Sequence, residues 1–183
     1  RNAELPADEQ RRVAALIAIA AIRYFMVKFS RGKLITFDIA EALSFEGESG
    51  PYLQYAVVRA NNIFQKLQAR EGLSERDIVA SLDGLDAAEL EGDAEGQALW
   101  ELVFEASRLD DIVEQVVRSL EFSVLAKYAF GLAQMFNAFY HKFPILSEEQ
   151  GDRKRWRAAG VAYYREQLTQ ALTMMGIDVP ARM

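Results

Sequence analysis

The chain has 183 residues, 51% of them hydrophobic and 26% charged, which predicts a soluble-type globular domain with a sizeable core. It contains no cysteine, which excludes disulfides, thiolate catalysis and cysteine-type zinc sites, and its one histidine, His141, argues against the usual metal-binding and Ser-His-Asp chemistry. The net charge of −6 argues against non-specific nucleic-acid binding through a uniformly basic surface, and no apolar run is long enough to cross a bilayer.

Apolar residues recur at helical spacing through the first third of the chain. The pattern predicts a helix from about Asp8 to Phe29, an irregular segment over 35–49, and a helix from about Pro51 to Ala69. Phe37 and Phe45 are predicted to be aromatic plugs that anchor the irregular segment. Pro51 suits a first helical turn because its missing N–H would be unpaired there anyway. The predicted buried face of the first helix comprises Leu16, Ile19, Ile22, Phe25, Met26 and Phe29.

The remainder of the chain also reads as helices. Ser74 caps a short helix, and an acidic segment near 83–96 is predicted to be a solvated linker. Three longer helices follow, over about Gly96–Ser119, Ser123–Phe143 and Glu148–Met175, the last with Gly176 as its C′ residue. No alternating strand pattern occurs, so the sequence predicts an all-α helical bundle.

The predicted helices form one domain over 1–183. It consists of a leading helical part over 1–34, a glycine-containing loop over 35–50, and a bundle over 51–183 that carries the acidic linker. We expect a monomer.

The stretch "GESGPYLQYAVVRANN" places two tyrosines and an arginine at the start of a predicted helix. Tyr52 and Tyr55 are three residues apart, and Arg59 extends their face by one turn. Aromatic rings beside a guanidinium can stack on an unpaired RNA base and neutralise its phosphate. Alternatively, both tyrosines are half-buried packing residues with solvated hydroxyls.

The stretch "AQMFNAFYHKFPIL" combines an apolar stripe with two polar side chains. Its phenylalanines are predicted to be core residues, whereas Asn137 and Tyr140 could read a base edge and stack on it. His141 is predicted to lie at the surface, and one histidine does not make a ligand set.

A basic cluster opens the last predicted helix. Arg153, Lys154 and Arg157 near a helix N-terminus could bind phosphate, or they could form an ordinary solvated face. Nothing in the sequence has the pattern of a catalytic site: the adjacent acidic pairs point apart on a helix, and "GESG" lacks the lysine of a phosphate-binding loop.

In order, these segments resemble the C-terminal region of the arginyl-tRNA synthetase family, the all-helical anticodon-binding (DALR) domain. The motifs that carry the resemblance are "TFDIAEALSFEGESGPYLQYAVVR", "EFSVLAKYAFGLAQMFNAFY" and the terminal "MGIDVPARM". They extend over nearly the whole chain.

The resemblance implies binding of the anticodon stem-loop of arginine tRNA, with the second anticodon base, a cytosine, held in a pocket. The turn from Phe45 to Ser49 would shift against the anticodon loop. The residues implied to contact RNA are Tyr52, Tyr55, Arg59, Asn137, Tyr140, Arg157 and Met183.

The resemblance also sets expectations about a parent enzyme. ATP and magnesium would belong to a catalytic domain upstream, which would be a partner of this domain, so we expect this chain alone to hold no cofactor or metal and not to aminoacylate. Its first residue, Arg1, favours excision from a longer cytoplasmic protein. The alternative is a helical protein-interaction or structural domain that descends from the same module and docks partners on its acidic linker.

Overall fold

The computed structural model describes residues 6–86, 90 and 92–183, so part of the acidic linker lies outside the described residues. The helices within these ranges are α1 (Ala7–Val27), α2 (Ile39–Ala42), α3 (Gly50–Glu71), α4 (Glu75–Ser81), α5 (Ala94–Ser107), α6 (Leu109–Ser119), α7 (Phe122–Lys142) and α8 (Gly151–Met174). A 3₁₀ turn, Leu82–Gly84, follows α4, and the described ranges contain no β-strand. The all-α prediction is confirmed.

Local capping chemistry starts and stops the helices near the predicted positions. The Ser49 hydroxyl accepts the Tyr52 N–H at 3.2 Å, with Pro51 in the first turn of α3. Ser74 forms a capping box at the start of α4. At the end of α8, Gly176 has a φ of +69° and the Ile177 N–H reaches the Leu172 carbonyl at 2.8 Å, which is a Schellman ending.

The helix predicted from Gly96 to Ser119 is wrong in one respect, because the structure divides it into α5 and α6. The chain bends at Arg108, where φ is −80° and ψ is 1°. Because the bend involves one residue, it hardly changes the spacing of the apolar residues. The helical pattern in the sequence therefore continues through Arg108 and does not reveal the bend. The bend allows α6 to lie along α7 while α5 packs on α8.

The predicted buried face of α1 is also partly wrong. Ile19, Ile22 and Met26 are exposed, and α1 instead turns small residues such as Ala20 toward α3. The two backbones approach closely, since a Cβ added at Gly50 would lie 2.1 Å from the Ala20 carbonyl oxygen. Small residues therefore decide which face packs.

The irregular segment differs from its prediction as well. It contains the short helix α2, and its two predicted plugs are exposed, Phe37 at 45% and Phe45 at 50%. Phe37 packs its edge against Phe25 of α1, with ring centroids 4.9 Å apart, so it covers a small core rather than filling it.

Helix α8 runs through the centre of the bundle and packs on α3, α4, α5 and α7. Its buried residues include Val161, Tyr164, Leu168 and Leu172. None of the helices in the part of the chain that the structure describes is long and apolar enough to span a membrane.

Candidate nucleic-acid interface

Four of the residues predicted to contact RNA meet between α3 and α7, and we call Tyr52, Arg59, Asn137 and Tyr140 the α3–α7 cluster. Asn137 is hydrogen-bonded to two other members of the cluster. The Asn137 Oδ1 accepts a hydrogen bond from Arg59 Nη1 at 3.0 Å, and the Asn137 Nδ2 donates to the Tyr52 hydroxyl at 2.9 Å. All four side chains are partly exposed. Residues far apart in sequence thus form one solvent-facing polar and aromatic surface.

Helix geometry explains why the cluster forms. Tyr52 and Arg59 are seven residues apart on α3, which is close to two full turns and places them on one face. Asn137 and Tyr140 are neighbours on the facing side of α7. Ser49 and Pro51 fix where α3 begins. They therefore also fix the position of Tyr52 along the axis of α3.

A column of planar groups supports the cluster from below. The Arg59 guanidinium carbon lies 4.8 Å from the centroid of the Tyr140 ring. Tyr140 stacks on Phe136 with centroids 5.9 Å apart, and Phe136 stacks on the buried Tyr164 at 4.4 Å. The cation and the exposed ring are therefore held by core aromatics.

Tyr164 is the innermost ring of this column, and its hydroxyl is a buried polar group. Its hydroxyl is buried and has no hydrogen-bond partner among the described residues. Burial chiefly raises the pKa of Tyr164 well above its usual value; nearby Tyr52 raises it further and Arg59 opposes the rise. The hydroxyl is therefore neutral at physiological pH, and the positive charge beside it is that of Arg59.

Sequence reasoning missed the supporting role of Tyr164. The adjacent pair Tyr163 and Tyr164 was the available signal, since only one of two consecutive helical residues can face the core. The structure buries Tyr164 and leaves Tyr163 half-buried.

Tyr55 lies outside this hydrogen-bonded cluster. It is 39% exposed and sits about 60° around α3 from Tyr52. Its ring faces solvent beside the cluster, and its contact with RNA stays a prediction.

Arg157 is buried near the N-terminus of α8, and its RNA contact also stays a prediction. Its Nε and Nη2 donate to the two carboxylate oxygens of Glu95 at 2.6 and 2.8 Å, and its Nη1 donates to the Pro144 carbonyl at 2.7 Å. Glu148 pairs with it as well. The structure therefore gives this guanidinium partners within the chain.

The carboxylate of Glu148 is itself stabilised in its charged form. The backbone N–H of Gln150 is the largest cause that holds the pKa of Glu148 below its usual value, and the Arg157 charge adds to it.

The other cations at the start of α8 are paired too. Arg153 lies 2.8 Å from Asp93 and 3.0 Å from Glu95, and Lys154 lies 2.8 Å from Glu71. Of the two interpretations of this basic cluster, the structure supports neither an open phosphate site nor a free solvated face. Carboxylates at the start of α5 and at the end of α3 neutralise it.

Met183 lies at the end of a C-terminal tail that runs along α1 and α3, and its contact with RNA stays a prediction. The buried Gln54 donates to the Leu16 and Asp178 carbonyls at 3.2 and 2.6 Å, and Arg182 pairs with Glu9 at 3.0 Å. Tail residues line a groove of about 720 Å³ together with Val57 and Asn61. Those two residues lie roughly 140–180° around α3 from Tyr52, so the tail and the α3–α7 cluster occupy different sides of the helix.

The glycine-containing loop is anchored at its base and open at its tip. The buried Lys28 donates to Glu41 Oε1 at 2.6 Å and to the Glu48 carbonyl at 3.1 Å. Gly47 has a φ of +75°, and Phe45 points to solvent. The movement of this loop on binding RNA stays a prediction.

Comparison with known proteins gives a consistent result. The family model described as the DALR anticodon binding domain matches residues 53–183. An arginine–tRNA ligase of Thermococcus sibiricus is 36% identical over 180 residues, which covers 98% of this chain and 27% of that protein. An arginine–tRNA ligase of Pyrococcus furiosus is also 36% identical, over 186 residues, covering 100% of this chain and 28% of that protein.

A solved structure agrees with these matches. The arginyl-tRNA synthetase of Thermus thermophilus superposes with a TM-score of 0.80 at 30% identity, covering 100% of this chain and 29% of the other. The chain spans less than a third of the length of the curated relatives it matches.

Proposed function

The chain belongs to the DALR anticodon-binding domain family of arginyl-tRNA synthetases, and from this premise we propose that it binds the anticodon stem-loop of arginine tRNA. The observation that carries the proposal is the α3–α7 cluster, where two partly exposed aromatic rings, an amide and a guanidinium meet on one surface. The parent protein would be an arginine–tRNA ligase, with ATP and magnesium used by its catalytic part.

Stacking supplies affinity in this proposal. An unpaired base that lies on Tyr52, or on the planar Arg59 guanidinium that covers the Tyr140 ring, gains about 1–3 kcal/mol without needing a basic protein surface. This accounts for RNA binding by a chain with a net charge of −6. The column beneath Tyr140 holds its ring in place before the base arrives, which lowers the entropic cost of binding.

Asn137 supplies specificity. Each of its two bonds within the cluster uses only part of the capacity of the amide, which can accept two hydrogen bonds and donate two. The remaining acceptor and donor match the amino group and N3 of cytosine, and they mismatch uracil, whose edge has the reverse pattern. The amide therefore favours a cytosine at the second anticodon position.

Arg59 neutralises a phosphate of the splayed loop. One of its nitrogens is bonded to Asn137, and its other N–H groups remain for a phosphate oxygen. Tyr55 extends the aromatic surface. Arg157 holds the start of α8 through its buried pairs with Glu95, and its direct contact with RNA stays a prediction.

A binding experiment tests this function. The affinity of the chain is measured for the anticodon stem-loop of arginine tRNA and for the same stem-loop with uracil at the second anticodon position. We expect a loss of about 1–3 kcal/mol for the uracil version. Tyr140→Leu, which keeps an apolar contact with Phe136, is expected to weaken binding to the cytosine stem-loop by a similar amount.

The same substitution at a half-buried tyrosine outside the cluster, Tyr163→Leu, is the matched control and is expected to leave affinity unchanged. Equal and weak binding of both stem-loops would instead favour the alternative of a helical protein-interaction or structural domain. A fall in the thermal midpoint of Tyr140→Leu with intact RNA binding would make Tyr140 a core residue and remove it from the site.

A further inference from the structure

A second surface feature lies away from the α3–α7 cluster, between α5 and α8. It is a cavity of about 550 Å³, and its lining is almost entirely apolar. We call it the tryptophan cleft. Its principal lining residues are Leu99, Trp100, Val103, Trp156, Ala159 and Tyr163.

Trp100 of the cleft lining forms an exposed aromatic pair with Phe104, which lies next to the lining residue Val103 in the sequence. Trp100 is 66% exposed and Phe104 is 54% exposed, and their rings stack with centroids 6.4 Å apart. Large aromatic side chains that stay in water beside an apolar cavity are typical of protein-binding surfaces, where tryptophan is enriched among the residues that dominate affinity.

The charge around the cleft is acidic. From Asp77 to Ser107 the sequence contains nine aspartates and glutamates and no lysine or arginine. Asp83 follows the cleft residue Leu82 and is exposed, and Glu101 follows Trp100 and is exposed. Neither has a lysine or arginine within ion-pair distance among the described residues, so both carboxylates remain for a cation on a partner.

The nearest basic residues do not cancel this charge, because they already have acidic partners of their own. Arg153 and Arg157 pair with Glu95, and Arg155 pairs with Asp152. An acidic rim around an apolar cavity repels phosphates and attracts lysine and arginine, which favours a basic protein segment over RNA as the occupant.

We propose that the tryptophan cleft docks an amphipathic helix of a protein partner, whose aliphatic side chains enter the cavity while its lysines and arginines face Asp83 and Glu101. This is the helix-in-groove mode of recognition, in which an apolar stripe on one helix fills a groove on another protein. Electrostatic attraction to the acidic rim sets the preference for a basic helix and speeds its association.

The docking surface is separate from the RNA surface. Consecutive residues of α8 point about 100° apart, so Tyr163 lines the cleft while Tyr164 faces the α3–α7 cluster. A helix bound in the cleft therefore leaves Tyr52 and Asn137 uncovered, and the chain can hold RNA and the helix together.

The chain provides its own reporter for this proposal. Its two tryptophans, Trp100 and Trp156, both line the cleft. The probe is a synthetic helical peptide with leucines at i, i+3, i+4 and i+7 spacing and lysines elsewhere. We expect saturable one-to-one binding, a blue shift of tryptophan emission, and weaker binding as salt is raised.

Two comparison peptides and two variants make the test specific. A peptide with glutamates in place of the lysines, and one with the same composition but scrambled leucines, are expected to bind at least about tenfold more weakly. Trp100→Ala is expected to weaken the lysine peptide about tenfold or more, measured by calorimetry, with an unchanged thermal midpoint because the side chain is exposed. Phe122→Ala, at an exposed aromatic outside the cleft, is expected to have no effect.

Several results would overturn the proposal. They are the absence of saturable peptide binding, equal affinity for the glutamate peptide, or full binding by Trp100→Ala. A concentration-dependent dimer that Trp100→Ala abolishes would assign the cleft to a second copy of this chain. Loss of stem-loop binding in Trp100→Ala would assign it to RNA. Stem-loop binding measured on the same variants keeps this test independent of the proposed RNA function.

Discussion

At the scale of single residues, Asn137 is the side chain that links the two halves of the candidate RNA surface. It is bonded to Tyr52 and Arg59 of α3 while itself belonging to α7. Both partners are partly exposed, so water can replace either bond at little cost when a base arrives. An amide in this position can exchange hydrogen bonds within the protein for hydrogen bonds to a base edge.

This arrangement predicts the effect of Asn137→Ala on specificity. The variant is expected to lose most of the preference for cytosine over uracil at the second anticodon position, while stacking on Tyr52 and on the Arg59 guanidinium keeps part of the affinity. The measurement is the ratio of the two dissociation constants. Asn62→Ala removes an exposed asparagine of α3 as the control, and an unaltered ratio in Asn137→Ala would show that this amide does not read the base.

At the scale of elements, the start of α8 is tied by ion pairs to the first turn of α5 and to the residue that caps it. Arg157 and Glu95 are 6% and 5% exposed, and they meet through two parallel hydrogen bonds. Asp93 caps α5 by accepting the Gly96 N–H at 2.6 Å and also pairs with Arg153. One acidic stretch therefore both begins α5 and holds α8.

Removing one partner of the buried pair should destabilise the bundle. Arg157→Met leaves the Glu95 carboxylate buried without its bidentate partner, and we expect the free energy of unfolding in urea to fall by about 3–5 kcal/mol. Arg155→Met, which breaks a more exposed pair with Asp152, should cost less than about 1 kcal/mol.

The double variant Arg157→Met, Glu95→Gln is expected to recover part of the lost stability, because the buried charge is then absent. The RNA affinity of the double variant, measured under conditions where the protein is folded, should match that of the unaltered chain. Weaker RNA binding by a stably folded Arg157→Met would show that this arginine contacts RNA directly.

At the scale of the whole molecule, charge is divided between surfaces. The exposed carboxylates of Asp83 and Glu101 follow residues that line the tryptophan cleft, while Arg59 lies among aromatic rings between α3 and α7. The net charge of −6 therefore does not describe the surface that RNA would meet. We therefore expect this chain to bind RNA by stacking more than by charge.

This division predicts a shallow salt dependence. Each phosphate contact on a single strand contributes a slope of about −0.7 to the plot of log affinity against log salt concentration. We expect a total slope that corresponds to only one or two phosphate contacts. Arg59→Met should reduce the slope by the value of about one contact, ~0.7. Filter binding over a salt series measures both slopes. A steep slope that Arg59→Met leaves unaltered would place the phosphate contacts elsewhere.

The sequence by itself determined most of the helices and the family, and it named the four residues that meet in the α3–α7 cluster. Apolar spacing and capping residues such as Ser49, Ser74 and Gly176 act within a few residues of the backbone they stabilise, so they can be read locally. The motifs around Tyr52, Arg59, Asn137 and Tyr140 likewise lie within single helices, and the family matches confirmed the assignment that rests on them.

Only the tertiary structure decided how those helices face one another. Periodicity shows which side chains share a face but not what that face meets, so it could not show that Ala20 rather than Ile22 packs inward or that α5 and α6 separate at Arg108. Nor could it pair Arg157 with Glu95, since their distance in space depends on the packing of α5 against α8. Ion pairs and close backbone approaches are properties of the assembled bundle, because their energies depend on atoms that many intervening residues bring together.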